Sequence, residues 1–118
     1  MYAQTKEKAK VEFVRDADGK LETILVNGKK KGGFARGWRK AQQMPYWIEY
    51  TDNLIAQNPF SGVKVALTPL EATIYAFCIM WYRQYERGNS QNAPIQTYDD
   101  MKYFLLEINP QAYYDLLD

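Results

Sequence analysis

Six cations and two aromatic rings lie in a glycine-rich segment at residues 28–40, GKKKGGFARGWRK, which contains no carboxylate. Cationic side chains neutralise phosphates and release counterions, while aromatic faces stack on unpaired bases. This composition is typical of a segment that contacts nucleic acid. An acidic protein surface, including that of a neighbouring copy, offers the same kind of charge and remains the alternative. The six cations are Lys29, Lys30, Lys31, Arg36, Arg39 and Lys40.

The two rings of this segment allow two interpretations. Phe34 and Trp38 are four residues apart and share a helical face with Ala41, whereas Arg36, Arg39 and Lys40 fall away from that face. Rings on such a stripe anchor a helix in a core more often than they stack on bases. We therefore favour core anchors for the rings and leave the partner of the cations open.

Acidic and aromatic residues near the C-terminus form a second candidate binding surface, which suits a basic partner. Tyrosine supplies large, stiff contact area and is common at interfaces, although phenol tips also emerge from small cores. Neighbouring aromatic residues on a helix cannot all face one core, so Trp81-Tyr82 and Tyr113-Tyr114 predict some surface rings. The candidate residues are Asp99, Asp100, Tyr103, Tyr113, Tyr114 and Asp115.

The formal net charge of +1 conceals a segregation of charge along the chain. Residues 1–40 hold eleven basic and five acidic residues, a net +6, and residues 41–118 hold four basic and nine acidic ones, a net −5. Opposite charges at the two ends favour head-to-tail assembly or a dedicated partner.

Several chemistries are excluded by composition. The chain has no histidine, which excludes a Ser-His-Asp triad and imidazole metal ligands. A single Cys78 in an apolar run indicates a buried thiol rather than a zinc site or a disulfide. The glycines of residues 28–37 fit neither the GxxxxGK[ST] nor the GxGxxG spacing of phosphate-binding loops. The adjacent side chains of Asp99 and Asp100 diverge by about 100° on a helix and therefore do not converge on one metal ion. We therefore expect no enzyme, no cofactor, no metal site and no small-molecule substrate.

The residues that position these candidates predict a hairpin followed by helices. Alternating apolar residues at about 10–27 predict two strands with a turn at Gly19. A basic connector follows at 28–37, and the helical part extends over 38–118. An apolar stripe from Trp47 to about Gln57 predicts more helix after Pro45, which either kinks the first helix or begins a new one.

Capping signals mark the later helices. Thr68-Pro69-Leu70-Glu71 predicts a helix that begins with a capping box and runs to Arg87, with Gly88 as its stop. This helix is apolar nearly all round and is expected to be central. Thr97 is predicted to cap the next helix, and Asn109-Pro110 the last one. Residues 63–67 are predicted to be extended.

Together these elements predict one α+β domain over 1–118, an N-terminal hairpin packed on three to four helices. No segment reaches the roughly 20 apolar residues of a membrane span, and no signal peptide is visible. The compact, histidine-free, aromatic-rich chain resembles small proteins encoded by bacteriophages, which implies a virion component or an inhibitor of host machinery. We expect a reducing cytoplasmic or virion-associated location. The expected function is protein–protein interaction or assembly, and the alternative is a nucleic-acid-binding accessory module that uses residues 28–40.

Overall fold

The computed structural model describes residues 2–3 and 9–117, which form two three-stranded sheets and four helices. The fold is α+β, with the N-terminal hairpin packed on the helices, as the sequence predicts. The strands are β1 (Tyr2–Ala3), β2 (Val11–Arg15), β3 (Leu21–Val26), β4 (Lys29–Lys30), β5 (Leu54–Gln57) and β6 (Lys64–Leu67). The helices are α1 (Gly32–Gln42), α2 (Pro69–Glu86), α3 (Ile95–Ile108) and α4 (Pro110–Leu116).

The predicted hairpin is β2 paired antiparallel with β3, and its turn uses a left-handed Gly19 with φ 80°. A second reversal follows at Asn27-Gly28, where both residues have positive φ, 52° and 81°. Such a pair fits the tight turn that joins twisted antiparallel strands. The chain therefore adds its own third strand, β4, and the first residues of the predicted connector at 28–37 are extended.

Helix α1 begins at Gly32, six residues before the predicted start of the helical part, and ends at Gln42. Its buried face carries Trp38, whose ring meets the edge of Phe13 at 4.8 Å between centroids. Phe34 stacks on Phe104 of α3, also at 4.8 Å. The interpretation of both rings as core anchors is confirmed.

The second sheet corrects the sequence prediction for residues 47–57. Residues 47–57 contain no helix, and Pro45 lies in a turn after α1, so it neither kinks that helix nor begins another. Instead Leu54–Gln57 is β5, paired antiparallel with β6, while β1 pairs in parallel with the other side of β6. Apolar residues at helical spacing were outweighed by this long-range pairing, which satisfies the backbone groups of β5 that face β6.

The signals around α2 and α4 are confirmed. Thr68 accepts a hydrogen bond from the Glu71 amide at 3.3 Å, and the Glu71 carboxylate accepts one from the Thr68 amide at 3.0 Å. Gly88 has φ 71° just after α2, and most of the central part of that helix is buried. Asn109 caps α4 through a 3.1 Å bond from the Ala112 amide.

The predicted N-cap of α3 is wrong by three residues. Pro94 occupies its N-cap position, and Thr97 is a buried residue inside the helix. Asp99 and Asp100 therefore lie beyond the first turn, so the helix dipole does not explain their position. None of the helices described is both long and apolar enough to cross a bilayer.

Candidate interaction surfaces

The central finding at the predicted sites is an ion pair between them. Arg36 of α1 donates from Nε to Asp100 Oδ2 at 3.1 Å and from Nη2 to Oδ1 at 3.2 Å. Gln96 adds a third bond to Oδ1 at 2.9 Å. The hydrogen bond and the charge of Asp100 raise the pKa of Arg36. A cation of the predicted basic face and a carboxylate of the predicted acidic face thus neutralise each other within one chain.

A glycine lets these two helices approach so closely. A Cβ atom built on Gly37 would lie 2.6 Å from Asp100 Cβ, a separation that real Cβ atoms essentially never show. A Cβ atom built on Gly33, one turn earlier, would lie 3.6 Å from Oδ1 of the same carboxylate. Gly33 and Gly37 of the basic segment therefore line a helix–helix contact and not a phosphate-binding loop.

A second ion pair joins the same two parts of the chain. Lys31 Nζ lies 2.9 Å from Glu107 Oε1, and the same ammonium stands 5.8 Å from the Phe34 ring. Arg39 donates from Nη1 to the Leu21 carbonyl at 3.0 Å, which fixes α1 to β3. Half of the predicted basic face, Lys31, Arg36 and Arg39, thus has an intramolecular role.

The other half stays available to a partner. Lys29, Lys30 and Lys40 are exposed, and none forms an ion pair with the residues that the structure describes. Lys29 and Lys30 lie on β4, whereas Lys40 lies in the last turn of α1. We call these three residues the lysine group.

Aromatic side chains of α2 and α3 form a continuous ladder. Trp81 stacks on Tyr98 at 4.4 Å and on Tyr85 at 5.2 Å between ring centroids. Its indole N–H donates to the Ala93 carbonyl at 2.7 Å, which fixes the buried ring. Tyr82 lies 6.1 Å from Tyr85 and extends the ladder outward.

Lys102 and α4 continue this ladder across the surface. The Lys102 ammonium stands 5.3 Å from the Tyr98 ring and 5.2 Å from the Tyr103 ring. Tyr113 meets Tyr114 edge to face at 5.1 Å. Burial, followed by the charges of neighbouring groups that include Tyr113 and Tyr82, raises the pKa of Tyr98 to about 12. We call the following six residues the tyrosine surface: Tyr82, Tyr85, Tyr98, Tyr103, Tyr113 and Tyr114.

The exposure of this surface matches the prediction that neighbouring aromatic residues place some rings outside. Its four most exposed rings, those of Tyr82, Tyr85, Tyr103 and Tyr114, are between 49% and 58% exposed. Tyr82, Tyr85 and Tyr98 were missed as site residues, although Trp81-Tyr82 was one of the neighbouring pairs in the sequence. The position of Tyr82 and Tyr85 one turn apart near the end of α2 was an additional signal.

Two of the three predicted acids lie close to the tyrosine surface. Asp99 Oδ1 is 3.9 Å from Lys102 Nζ, within the same helix. The Asp115 carboxylate accepts a bond from Gln111 at 2.9 Å. Asp100 instead faces α1 and is nearly buried, so it leaves this group.

The remaining chemistry of the described residues is modest. Cys78 is buried, as the sequence predicts, and burial raises the pKa of its thiol well above the usual range. Within residues 2–3 and 9–117, no group of three Asp, Glu or Cys side chains converges on a metal position. An open cleft of about 290 Å³ is lined by Pro45, Tyr46, Gln84, Asn89, Gln91 and Asn92, none of which carries a charge.

Comparison with known proteins identifies no relative from which a function could be transferred. The chain matches no family model, no curated protein and no solved structure. Its function is therefore argued from the surfaces described above.

Proposed function

We propose that this chain is a non-enzymatic protein–protein interaction or assembly protein that binds a partner protein through the tyrosine surface. The observation that carries the proposal is the run of half-exposed phenol rings over α2, α3 and α4. Tyrosine offers a large contact area with few rotatable bonds, so little side-chain freedom is lost on binding. Residues of this kind contribute much of the binding free energy at protein interfaces.

Charge near the tyrosine surface favours a partner with a basic face. Asp99 and Asp115 lie on α3 and α4 beside these rings, whereas Lys102 is held between two rings and near Asp99. Complementary charge of this kind increases association rates and selects against partners of the wrong sign. The lysine group offers a separate contact for an acidic surface.

Tyrosine substitutions test this proposal. Wild-type protein, Tyr82→Ser and Tyr103→Ser are immobilised, and partners are captured, identified and titrated against each. We expect the two serine variants to weaken binding of the captured partner at least tenfold. Ile48→Ser removes another exposed apolar side chain, outside the tyrosine surface, and serves as the control. Equal affinity for wild type and both tyrosine variants would contradict the proposal.

Nucleic-acid binding by the lysine group is the second candidate function. Its support is that Lys29, Lys30 and Lys40 remain exposed, without ion pairs to other described residues. The core positions of Phe34 and Trp38 leave phosphate contacts, not base stacking, as the available chemistry of residues 28–40. Three phosphate contacts give a log–log salt slope of about −2.7 on duplex DNA.

Fluorescence anisotropy of labelled single- and double-stranded DNA and RNA at stepped salt tests the second candidate. Changing the three lysines together to alanine should abolish the salt-dependent binding. Lys31→Ala is the matched control, because Lys31 is already paired with Glu107. Flat anisotropy at low salt, or equal binding by wild type and the triple variant, would exclude this role.

A further inference from the structure

The outer edge of β5 is unpaired among the residues that the structure describes. The sheet order is β1-β6-β5, and no other described strand pairs with β5. The Asn58 amide donates to the Val63 carbonyl at 2.9 Å, which makes this pair a hydrogen-bonded pair of the ladder. Because such pairs alternate along antiparallel strands, the amide and carbonyl groups of Ile55 and Gln57 point away from β6.

This edge has one feature that usually protects an exposed strand, its short length of four residues. Natural sheets also block their edges with charged residues, proline or a bulge. The sequence of β5, Leu-Ile-Ala-Gln, has no charge and no proline, and its register with β6 is regular. Ile55 is 53% exposed on the outer face. An apolar, uncharged edge is thus available for strand pairing.

The loop after β5 has a hydrogen-bonded backbone and carries an almost fully exposed aromatic ring. Phe60 is 97% exposed. The Asn58 side-chain oxygen accepts hydrogen bonds from the backbone amides of Phe60 at 2.8 Å and Ser61 at 3.1 Å. The side-chain nitrogen Nδ2 of Asn58 donates to the Asp115 carbonyl at 2.7 Å. The loop is therefore ordered from within and tied to α4. Placing an apolar ring in solvent on a preorganised loop lowers the entropic cost of burying it against a partner.

We propose that β5 pairs antiparallel with β5 of a second copy of this chain, about a two-fold axis at Ala56. In this register Ile55 faces the partner's Gln57, and the two outward amides and two outward carbonyls of each copy are all satisfied. The two Ala56 residues meet at a pair without hydrogen bonds, where strands approach most closely and a small side chain fits. The result is one six-stranded sheet.

A second copy fits this edge because the edge is self-complementary. A two-fold axis brings each outward donor to an acceptor of the same two residues, which is the condition for an isologous interface. No like charges meet along β5, and the whole chain has a formal net charge of only +1. Phe60 lies in the turn three residues after the end of β5 and outside the paired residues, so its ring is a peripheral contact of this interface.

The predicted interface is small. A standard stable interface buries about 800 Å² per partner, and a four-residue strand with one aromatic ring falls short of that area. We therefore expect a weak dimer that dissociates at low protein concentration. The proposed interface contains no residue of the tyrosine surface or the lysine group, although its loop is hydrogen-bonded to Asp115, next to Tyr114. The proposal does not depend on the function proposed for those two groups.

Sedimentation equilibrium over a wide concentration range tests the dimer. The mass of the wild-type protein should rise from 13.8 kDa and reach a plateau at twice that value. Ile55→Lys places two ammonium groups near each other across the axis and should raise the dissociation constant at least tenfold. Phe60→Ser should raise it by a smaller factor. Ile95→Lys, at an isoleucine of α3 that is 61% exposed, is the matched control and should dimerise like the wild type.

Four results would overturn the proposal: a constant 13.8 kDa mass at every concentration, a mass that rises beyond the dimer without a plateau, unchanged dimerisation of Ile55→Lys, or equal weakening by Ile95→Lys. Circular dichroism verifies the fold of each variant, and Gln57→Lys serves as a second edge variant if Ile55→Lys does not fold. Tyr82→Ser and Tyr103→Ser must leave the dimer intact. Their failure to do so would assign self-association to the tyrosine surface instead.

Discussion

The α1–α3 contact and the β5–β6 hairpin use polar and apolar residues in opposite ways. At the helix contact, Arg36 and Asp100 are joined by two hydrogen bonds beside Gly37. These two charged residues therefore pair within the chain. At the hairpin, the polar groups of Asn58 are satisfied within the loop and by α4, while Phe60 faces solvent. Residues 28–40, whose composition indicates binding, thus help to stabilise the fold, whereas the short strand β5 has an unpaired outer edge.

The helix side of this comparison is most sensitive at its glycine. Gly37→Val should lower the free energy of unfolding by about 1–3 kcal/mol, because the new side chain must push α3 away from α1. Chemical denaturation measures this loss. Gly32→Ala is the control, since a Cβ at Gly32 meets nothing within 4 Å, and alanine there should keep or improve stability. Equal stability of wild type and Gly37→Val would mean that the helices do not cross so closely.

Removal of the Asp100 carboxylate should also lower the free energy of unfolding, by a smaller amount. Asp100→Ala removes bonds from Arg36 and Gln96 and should cost about 1–2 kcal/mol of unfolding free energy. Asp99→Ala, one residue earlier and paired only at 3.9 Å, should change it by less than about 0.5 kcal/mol. Thermal and urea unfolding of the two variants provide the comparison. If Asp99→Ala were the more damaging change, the assigned roles of the two acids would be wrong.

The second ion pair should contribute less. Lys31→Ala should lower the unfolding free energy by at most about 1 kcal/mol, because both partners are partly exposed to water. The effect should shrink at high salt, which screens such pairs. Lys30→Ala, on the adjacent strand and without an ion pair among the described residues, should have no effect at any salt concentration. A Lys30 effect as large as that of Lys31 would contradict the pairing.

For the β5–β6 hairpin, we expect substitution of its exposed ring to have almost no effect on the free energy of unfolding. Phe60→Ser should change the unfolding free energy by less than about 0.5 kcal/mol at concentrations where the protein is monomeric, because a 97% exposed ring makes few contacts. The same urea titrations measure it. A loss above about 1 kcal/mol would show that Phe60 supports the fold and is not a free contact residue.

Sequence reasoning succeeded where the signal is local. The capping box at Thr68 and Glu71, the Asn109-Pro110 start of α4 and the turn at Gly19 each depend on residues within a few positions of one another. It failed at Leu54–Gln57, because this strand depends on pairing with Lys64–Leu67, whose other side pairs with β1. No local pattern distinguishes that strand from the helical stripe that precedes it.

The candidate site was predicted by residue type but not by arrangement. Exposed rings at Tyr82 and Tyr114 follow from neighbouring aromatic residues, and burial of Trp38 follows from helical spacing. The Arg36–Asp100 pair spans 64 positions, and nothing in either segment identifies the other. Charge segregation along the chain was therefore interpreted as two separate faces, whereas the fold brings part of each into contact.

A double-mutant cycle between Arg36 and Asp100 tests most directly whether these charges act within the chain. Unfolding free energies are measured for wild type, Arg36→Ala, Asp100→Ala and the double variant. The account predicts a coupling energy of about 1–2 kcal/mol, in the range found for residues that share hydrogen bonds. Additive effects, within about 0.5 kcal/mol, would show that Arg36 and Asp100 act independently. Both residues would then again be candidates for binding a partner.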